Sequence, residues 1–299
     1  MRITFNTFHT SLLDRLNSLN SQQNTALTQL ATGQRLQAPS DDSAATQRML
    51  NLRTDKKQEQ QFYKNAGKGL DISKATSSAV TQLNALGTRA SELAASSNGI
   101  SGTSALKAYA SELDQLIEQG LTLANSKFQG NYLLGGTDNS TPPFTATRDP
   151  LTNKITGVTY AGGANGSQFR ISESSSISPY TDGTENGQIA SFLTTLSTLR
   201  DAITNNDIPA VQAARPALDT SEDNLLSIIS RAGGIQYRME VSSKQSTDRF
   251  ESMENLIADE TDIDFAEASV RLNRAQTAYQ AAIQSGAKIE RTSLLDYIG

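Results

Sequence analysis

Apolar residues near the start of this chain recur at alternating steps of four and three. Leu12, Leu16, Leu19, Ala26 and Leu30 follow that spacing, with the polar Gln23 filling one step. Such heptad spacing lines one stripe of an α-helix, and that stripe needs a partner. Gly33 follows where a helix C-cap sits. Ala38-Pro39-Ser40-Asp41-Asp42-Ser43 reads as a turn and a new start, with Ser40 as N-cap and two carboxylates at the positive end of the helix dipole.

A long helix is predicted from about Ser43 to Ser96. Its stripe is Ile72, Thr76, Ala79, Leu83, Leu86, Ala90 and Leu93. Asn98 to Gly102 breaks it. The next helix carries Leu106, Tyr109, Leu113, Leu116, Gly120 and Leu123 at the same spacing. Between Phe128 and about Gly187 the period shortens to two. Lys154 to Tyr160 alternates, as does Gln168 to Ile171, and the intervening Gly162-Gly163-Ala164-Asn165-Gly166 reads as a hairpin turn. Helix returns from about Gln188 to Asn205 and from Ile208 to Ala258. Gly233-Gly234 inside the second stretch is either a break or a close-packing point. The last helix starts near Asp262 with the stripe Phe265, Ser269, Leu272, Gln276, Tyr279, Ile283 and Gly286.

The predicted fold is mainly α. Residues 1–40 and 262–299 form a terminal helical coiled coil within an elongated rod. Residues 41–130 and 188–261 form a helical bundle, and residues 131–187 form a small inserted β domain facing outward. The first seam, Leu12 to Leu30, is roughly 28 Å long. An isolated helix of that length is marginal in water. Two thin amphipathic ends therefore point to packing against each other and against further copies. The candidate assembly residues are Leu12, Leu16, Leu19, Leu27, Leu30, Leu272, Tyr279, Ile283, Ile289, Leu294 and Leu295. The alternative, that these seams are only the core of a closed bundle, suits Leu83 to Leu93 and Leu106 to Leu123 better than the ends. Gln23, Ser269 and Gln276 leave the terminal seams weak as a closed pair.

Composition removes several functions. Lys plus Arg is 26 against 31 Asp plus Glu in 299 residues, a net charge of −5. There is no cation excess to displace phosphate counterions or to hold an anionic membrane. No stretch is apolar for long enough to span a bilayer, and the first ten residues show no cleavable signal peptide. Cys is absent and His9 is the single histidine, so neither a zinc site nor a Ser-His-Asp triad has its residues, and no cofactor or enzymatic role is expected. Asp259 to Asp264 lacks the Gly and Glu of a calcium loop and reads as acidic capping of the last helix. Gly162 to Gly166 lacks the lysine of a phosphate loop. Arg48, Arg53, Lys56 and Lys57 read as a solvated face.

Several stretches together resemble the flagellin superfamily, and within it the hook-associated protein 3 family of hook–filament junction proteins. Met1-Arg2-Ile3-Thr4 resembles its opening. Ala31-Thr32-Gly33-Gln34-Arg35-Leu36 followed by Pro39-Ser40-Asp41-Asp42 resembles its Gly-Lys-Arg … Pro-Ser-Asp-Asp-Pro element, with Ser43 where the family often has Pro. Asn131-Tyr132-Leu133-Leu134-Gly135-Gly136 resembles the start of its inserted domain. Asp262 to Ala268 and Ala278-Tyr279-Gln280-Ala281 resemble its closing helix. The resemblance implies a bacterial surface filament and flagellar type III export without a cleaved signal. It implies copies of the chain in a ring, stacked between the other hook-associated junction protein and flagellin. It also implies a cytoplasmic export chaperone on the C-terminal helix. Flagellin itself and a β-domain binding module remain the competing readings.

Overall fold

The computed structural model describes residues 2–97, 102–138 and 140–298, with side chains described at 7, 9–97, 102–138 and 140–288. Its helices are α1 Arg2–Thr32, α2 Ser43–Ser97, α3 Thr103–Ala124, α4 Gly183–Thr204, α5 Ile208–Thr261 and α6 Phe265–Ile298. Short strands lie between α3 and α4: β1 Lys127–Phe128, β2 Asn131–Tyr132, β3 Phe144–Arg148, β4 Ile155–Tyr160, β5 Phe169–Arg170 and β6 Ser176–Ile177. The fold is mainly α with a small β insertion, as the hydrophobic period predicts. The break expected at Asn98 to Ser101 lies outside the described residues.

The chain divides into two compact units, Met1–Lys57 with Arg249–Gly299, and Gln58–Asp248. The division falls inside α2 and α5. In the second unit every member of the predicted stripe Ile72 to Leu93 is buried, along with Leu106, Leu113 and Gly120 of α3. They enclose Ile189, Leu193, Leu196 and Ile203 of α4 and Leu218 and Leu225 of α5. Arg200 sits in this core at 2% side-chain exposure. Its guanidinium reaches Asp114 of α3 at 2.7 Å and Asp201 at 2.8 Å, and Lys154 meets the same Asp114 at 2.6 Å. A charge removed from water costs several kcal/mol unless it is paired in this way.

α4 begins with a capping box. Asp182 accepts from the Glu185 amide, and the Glu185 side chain accepts in turn from the Asp182 amide. α5 runs unbroken through Gly233-Gly234, and a Cβ at either glycine would meet open space. Neither a break nor a close-packing point is therefore present there. The glycines are simply tolerated, at about 1 kcal/mol each in propensity.

The β insertion corrects one expectation. Gly162 to Gly166 does not join two paired strands. β4 pairs antiparallel with β3 through the turn at Asp149 to Asn153, and β5 pairs with β6. The hairpin β3–β4 lies on α4, where the Thr194 hydroxyl accepts from the Val158 amide at 3.1 Å and the Ser197 hydroxyl donates to the Thr156 carbonyl at 3.1 Å. The glycine-rich segment instead docks on the turn after β2. The Gly163 amide donates to the Gly135 carbonyl at 3.0 Å, and the Ala164 carbonyl accepts from Gly183 at 2.8 Å. Gly136 has φ +66°, and a Cβ there would collide with the Gly163 carbonyl oxygen. Two requirements for glycine thus coincide in the Leu-Gly-Gly motif. Gly136→Ala is expected to lower the stability of the second unit by about 1–3 kcal/mol in denaturant unfolding. A loss below a few tenths would show that the turn relaxes freely.

Candidate assembly interface

α1 and α6 pack antiparallel within the first unit. The register is fixed at one end by Leu12 against Gly286, where a Cβ on the glycine would lie 2.8 Å from the leucine Cδ2. From that contact the two stripes face each other level by level. On α1 the inward positions are Leu12, Leu16, Leu19, Gln23, Ala26 and Leu30, all buried or half-buried. This is the predicted seam. His9 continues it by one step toward the N-terminus and is half-buried on the same stripe.

On α6 the inward stripe is Ala268, Leu272, Ala275, Tyr279, Ala282 and Gly286. Leu272, Tyr279 and Gly286 match the expectation. Phe265, Ser269 and Ile283 do not, since all three are exposed. The alanines hold the inward places because they let two helices approach closely, and an alanine is a faint signal in a hydrophobicity pattern. The spacing 268, 272, 275, 279, 282, 286 carries the same four-three alternation and was available to find them. Among the other candidates, Leu27 is 44% and Ile283 is 46% exposed, so both stand off the intramolecular seam. The side chains of Ile289, Leu294 and Leu295 lie outside those described.

The turns at the ends of the pair are tied together. Gly33 takes φ +71° after α1, which frees the chain to reverse. Gln34 and Asp262 then form an antiparallel bridge. The Arg35 amide donates to the Thr261 carbonyl at 2.6 Å, and the Ile263 amide donates to the Gly33 carbonyl at 3.1 Å. The Arg35 guanidinium donates to the Glu260 carbonyl at 2.8 Å. Arg48 of α2 forks onto the Glu260 carboxylate at 2.7 and 3.0 Å.

The Asp41-Asp42 pair works within this clasp. Asp42, not Ser40, caps α2, accepting from the Ala45 amide at 2.9 Å. Asp41 points the other way and accepts from the Gln37 and Ala38 amides at 3.0 and 2.9 Å. The acidic run before α6 also divides its duties. Asp264 caps α6 by accepting from the Ala266 amide at 2.8 Å, while Glu260 holds Arg48. The basic run on α2 is partly engaged as well, since Lys56 meets Glu254 at 3.1 Å and lies over the Phe250 ring.

These contacts hold three carboxyls below their ordinary range. The backbone amides of Ala38 and Gln37 lower Asp41. The Ala45 amide, then Arg35, lowers Asp42. The Arg48 fork lowers Glu260. A group whose folded pKa is depressed stabilises the fold above its unfolded pKa, and that contribution is lost as pH falls through the folded value. The clasp is therefore expected to keep its full contribution above about pH 5 and to lose it progressively below about pH 4. Glu260→Gln should flatten that acid limb in a pH series of thermal melts. An unchanged limb would remove Glu260 from the account.

Among the described residues no three His, Cys, Asp or Glu side chains gather as a metal-binding group. No helix among them is long and apolar enough to cross a membrane.

The family description of the bacterial flagellin N-terminal helical region matches residues 3–139, and that of the C-terminal helical region matches residues 216–298. No curated protein matches the chain in sequence. In fold it is similar to Bacillus cereus FlgL, at 20% identity and a TM-score of 0.60, over 70% of this chain and 99% of that one. It is similar to a putative flagellar hook-associated protein from Vibrio parahaemolyticus, at 14% identity and a TM-score of 0.65, over 74% of this chain and 100% of that one. It is also similar to the flagellar junction protein FlgL from Legionella pneumophila, at 11% identity and a TM-score of 0.51, over 72% and 99% of the two chains.

Proposed function

Since the chain belongs to the bacterial flagellin family, carrying both of its helical regions, we propose that it is a structural subunit of the flagellum that forms the junction between hook and filament. It assembles through α1 and α6 into a ring of copies. The other hook-associated junction protein lies on one side and flagellin on the other. Before that, an export chaperone covers α6 in the cytoplasm, and the chain leaves by the flagellar type III route to an extracellular position. It performs no chemical step.

The observation that carries assembly is the α1–α6 pair, whose narrow seam of alanine, glycine and half-buried leucine leaves Leu27 and Ile283 outside it. Thin seams of this kind gain stability from further neighbours. The junction rather than the bulk filament is supported by the likeness in fold to solved proteins named FlgL over nearly their whole length. Flagellin itself is the competing reading.

Deleting the gene separates them. Loss of a junction subunit leaves hooks in place while unpolymerised flagellin accumulates in the medium. Normal filaments after deletion would contradict the proposal, and loss of filaments with no flagellin in the medium would favour the flagellin reading.

A further inference from the structure

Within the first unit the start of α2 and the end of α5 pair antiparallel and leave two outer edges. Ala45, Met49, Leu52 and Lys56 of α2 are buried or half-buried, and so are Phe250, Met253, Ile257 and Glu260 of α5. The ion pairs Arg48–Glu260 and Lys56–Glu254 set the register of this seam. Leu50, Arg53 and Lys57 form the stripe of α2 that points away from it, and all three are exposed. Glu251, Asn255 and Asp259 step by four along the far side of α5, with Leu256 beside them, and all four are exposed. Leu50 is 49% and Leu256 48% exposed, too much for either to belong to the seam within the chain.

The two edges carry opposite charge. Arg53 and Lys57 make the α2 edge cationic, and Glu251 and Asp259 make the α5 edge anionic. None of these four has an ion-pair partner among the described residues. The charges beside them are engaged within the chain: Arg48 on Glu260, Lys56 on Glu254, and Arg249 in a contact of its own. Asp55 shares a face of α2 with Arg48, well round the helix from the cationic stripe.

We infer that the cationic edge of α2 packs against the anionic edge of α5 in the next copy of this chain. The inference rests on the assembly reading above and adds a second contact to the α1–α6 pair. Copies related by rotation about an axis along their helices bring α2 of one beside α5 of the next. The two helices are then antiparallel, as they already are within the chain. With no shift along that axis the same register holds. Lys57 comes level with Glu251 and Arg53 with Asn255, while Leu50 falls between Leu256 and Asp259. The leucines shield each other from water, and the charges pair around them.

A second copy is the occupant because each edge is complementary to the other and not to itself. Two α2 edges would set Arg53 and Lys57 against the same cations, and two α5 edges would oppose carboxylates. Like charges in contact are unfavourable, so a two-fold pair is disfavoured. A head-to-tail contact between two different surfaces instead passes on from copy to copy, as a ring requires. Exposed ion pairs add little affinity, but they fix partner and orientation. The contact is about 12 Å long and one helix wide, far below the roughly 800 Å² per partner of a stable two-body interface. The free chain is therefore expected to stay monomeric, and the contact acts where copies are held side by side.

The test uses flagella isolated from cells in which the variant replaces the native chain. The chain has no cysteine, so Lys57→Cys with Glu251→Cys places one thiol on each edge. Mild oxidation is expected to join copies into dimers, trimers and longer ladders, and to join none when either substitution is present alone. No ladder from the double variant, a dimer from either single variant, or a product joining a thiol to a different protein overturns the inference. Where the double variant stays out of flagella, charge reversal decides. Arg53→Glu with Lys57→Glu should cut incorporation at least about tenfold while the far-ultraviolet circular dichroism of the monomer stays the same. Adding Glu251→Lys with Asp259→Lys should restore it. Unchanged incorporation in the first variant, or no recovery in the second, overturns the inference. Absence of the native chain from flagella overturns the assembly reading itself, and this inference with it.

Discussion

Leu272→Asp is expected to abolish incorporation into flagella and to unfold α1 and α6 in the isolated chain. Leu272 lies on the inward stripe of α6, level with Ala26 of α1. Ala26 is buried and Leu272 half-buried, so an aspartate at 272 gives up the leucine's apolar contact and puts a carboxylate on the seam. The loss is about 2–4 kcal/mol, from the missing apolar contact and the desolvated carboxyl together. A helix pair with so thin a seam has little margin against that.

Far-ultraviolet circular dichroism should report loss of helix on the scale of the 31 residues of α1 and the 34 of α6. The second unit should still melt cooperatively. Ile283→Asp is the contrast. Ile283 faces outward, so the monomer should keep its helix while incorporation falls. If both variants behave alike in the monomer, the assigned register is wrong.

The second large effect concerns the other unit. Arg200→Ala should lower its stability by about 3–5 kcal/mol, because Asp114 then loses a partner at 2.7 Å and a buried cavity opens. That corresponds to a fall in Tm of roughly 8–15 °C for a domain of this size. Asp114 keeps Lys154, which limits the damage on its side. A double-mutant cycle with Asp114→Asn isolates the pair, and near-additive losses would show that the arginine matters only as a space-filler. Incorporation into flagella should survive wherever the protein still folds, since Arg200 lies away from α1 and α6 in sequence and in its contacts.

Much of the fold is written in the heptad pattern. Leu83, Leu86, Leu93 and Leu113 announce a buried stripe because leucines at four-three spacing leave few other readings. The seam of α1 is legible for the same reason. α6 is less so. Half of its inward places belong to Ala268, Ala275 and Ala282, while Phe265 and Ile283 attract a hydrophobicity-weighted eye and face outward. Close approach of helices rewards small residues, and size rather than apolarity decides the stripe there.

The hairpin turn expected at Gly162 to Gly166 failed for a different reason. Asn165-Gly166 has the composition of a hairpin turn, but β4 takes the upstream β3 as its partner. The glycines then serve contact with Gly135 and Gly136, distant in sequence. Long-range pairing of that sort leaves no local trace.

The turn at residues 33–42 is intermediate. Its residues stand out as a motif, but their use as a clasp on Glu260 and Thr261 needs the other end of the chain, some two hundred residues away. The two aspartates look alike in sequence, yet Asp42 caps α2 while Asp41 accepts from amides of the turn before it.

The central claim is that this subunit sits at one level of the flagellum, held there by its paired terminal helices. Immunogold labelling of purified native flagella, with an antibody to residues 131–187, tests it most directly. Gold confined to a single band at the hook–filament boundary is the predicted result, and gold along the whole filament, or none on the flagellum, would contradict it.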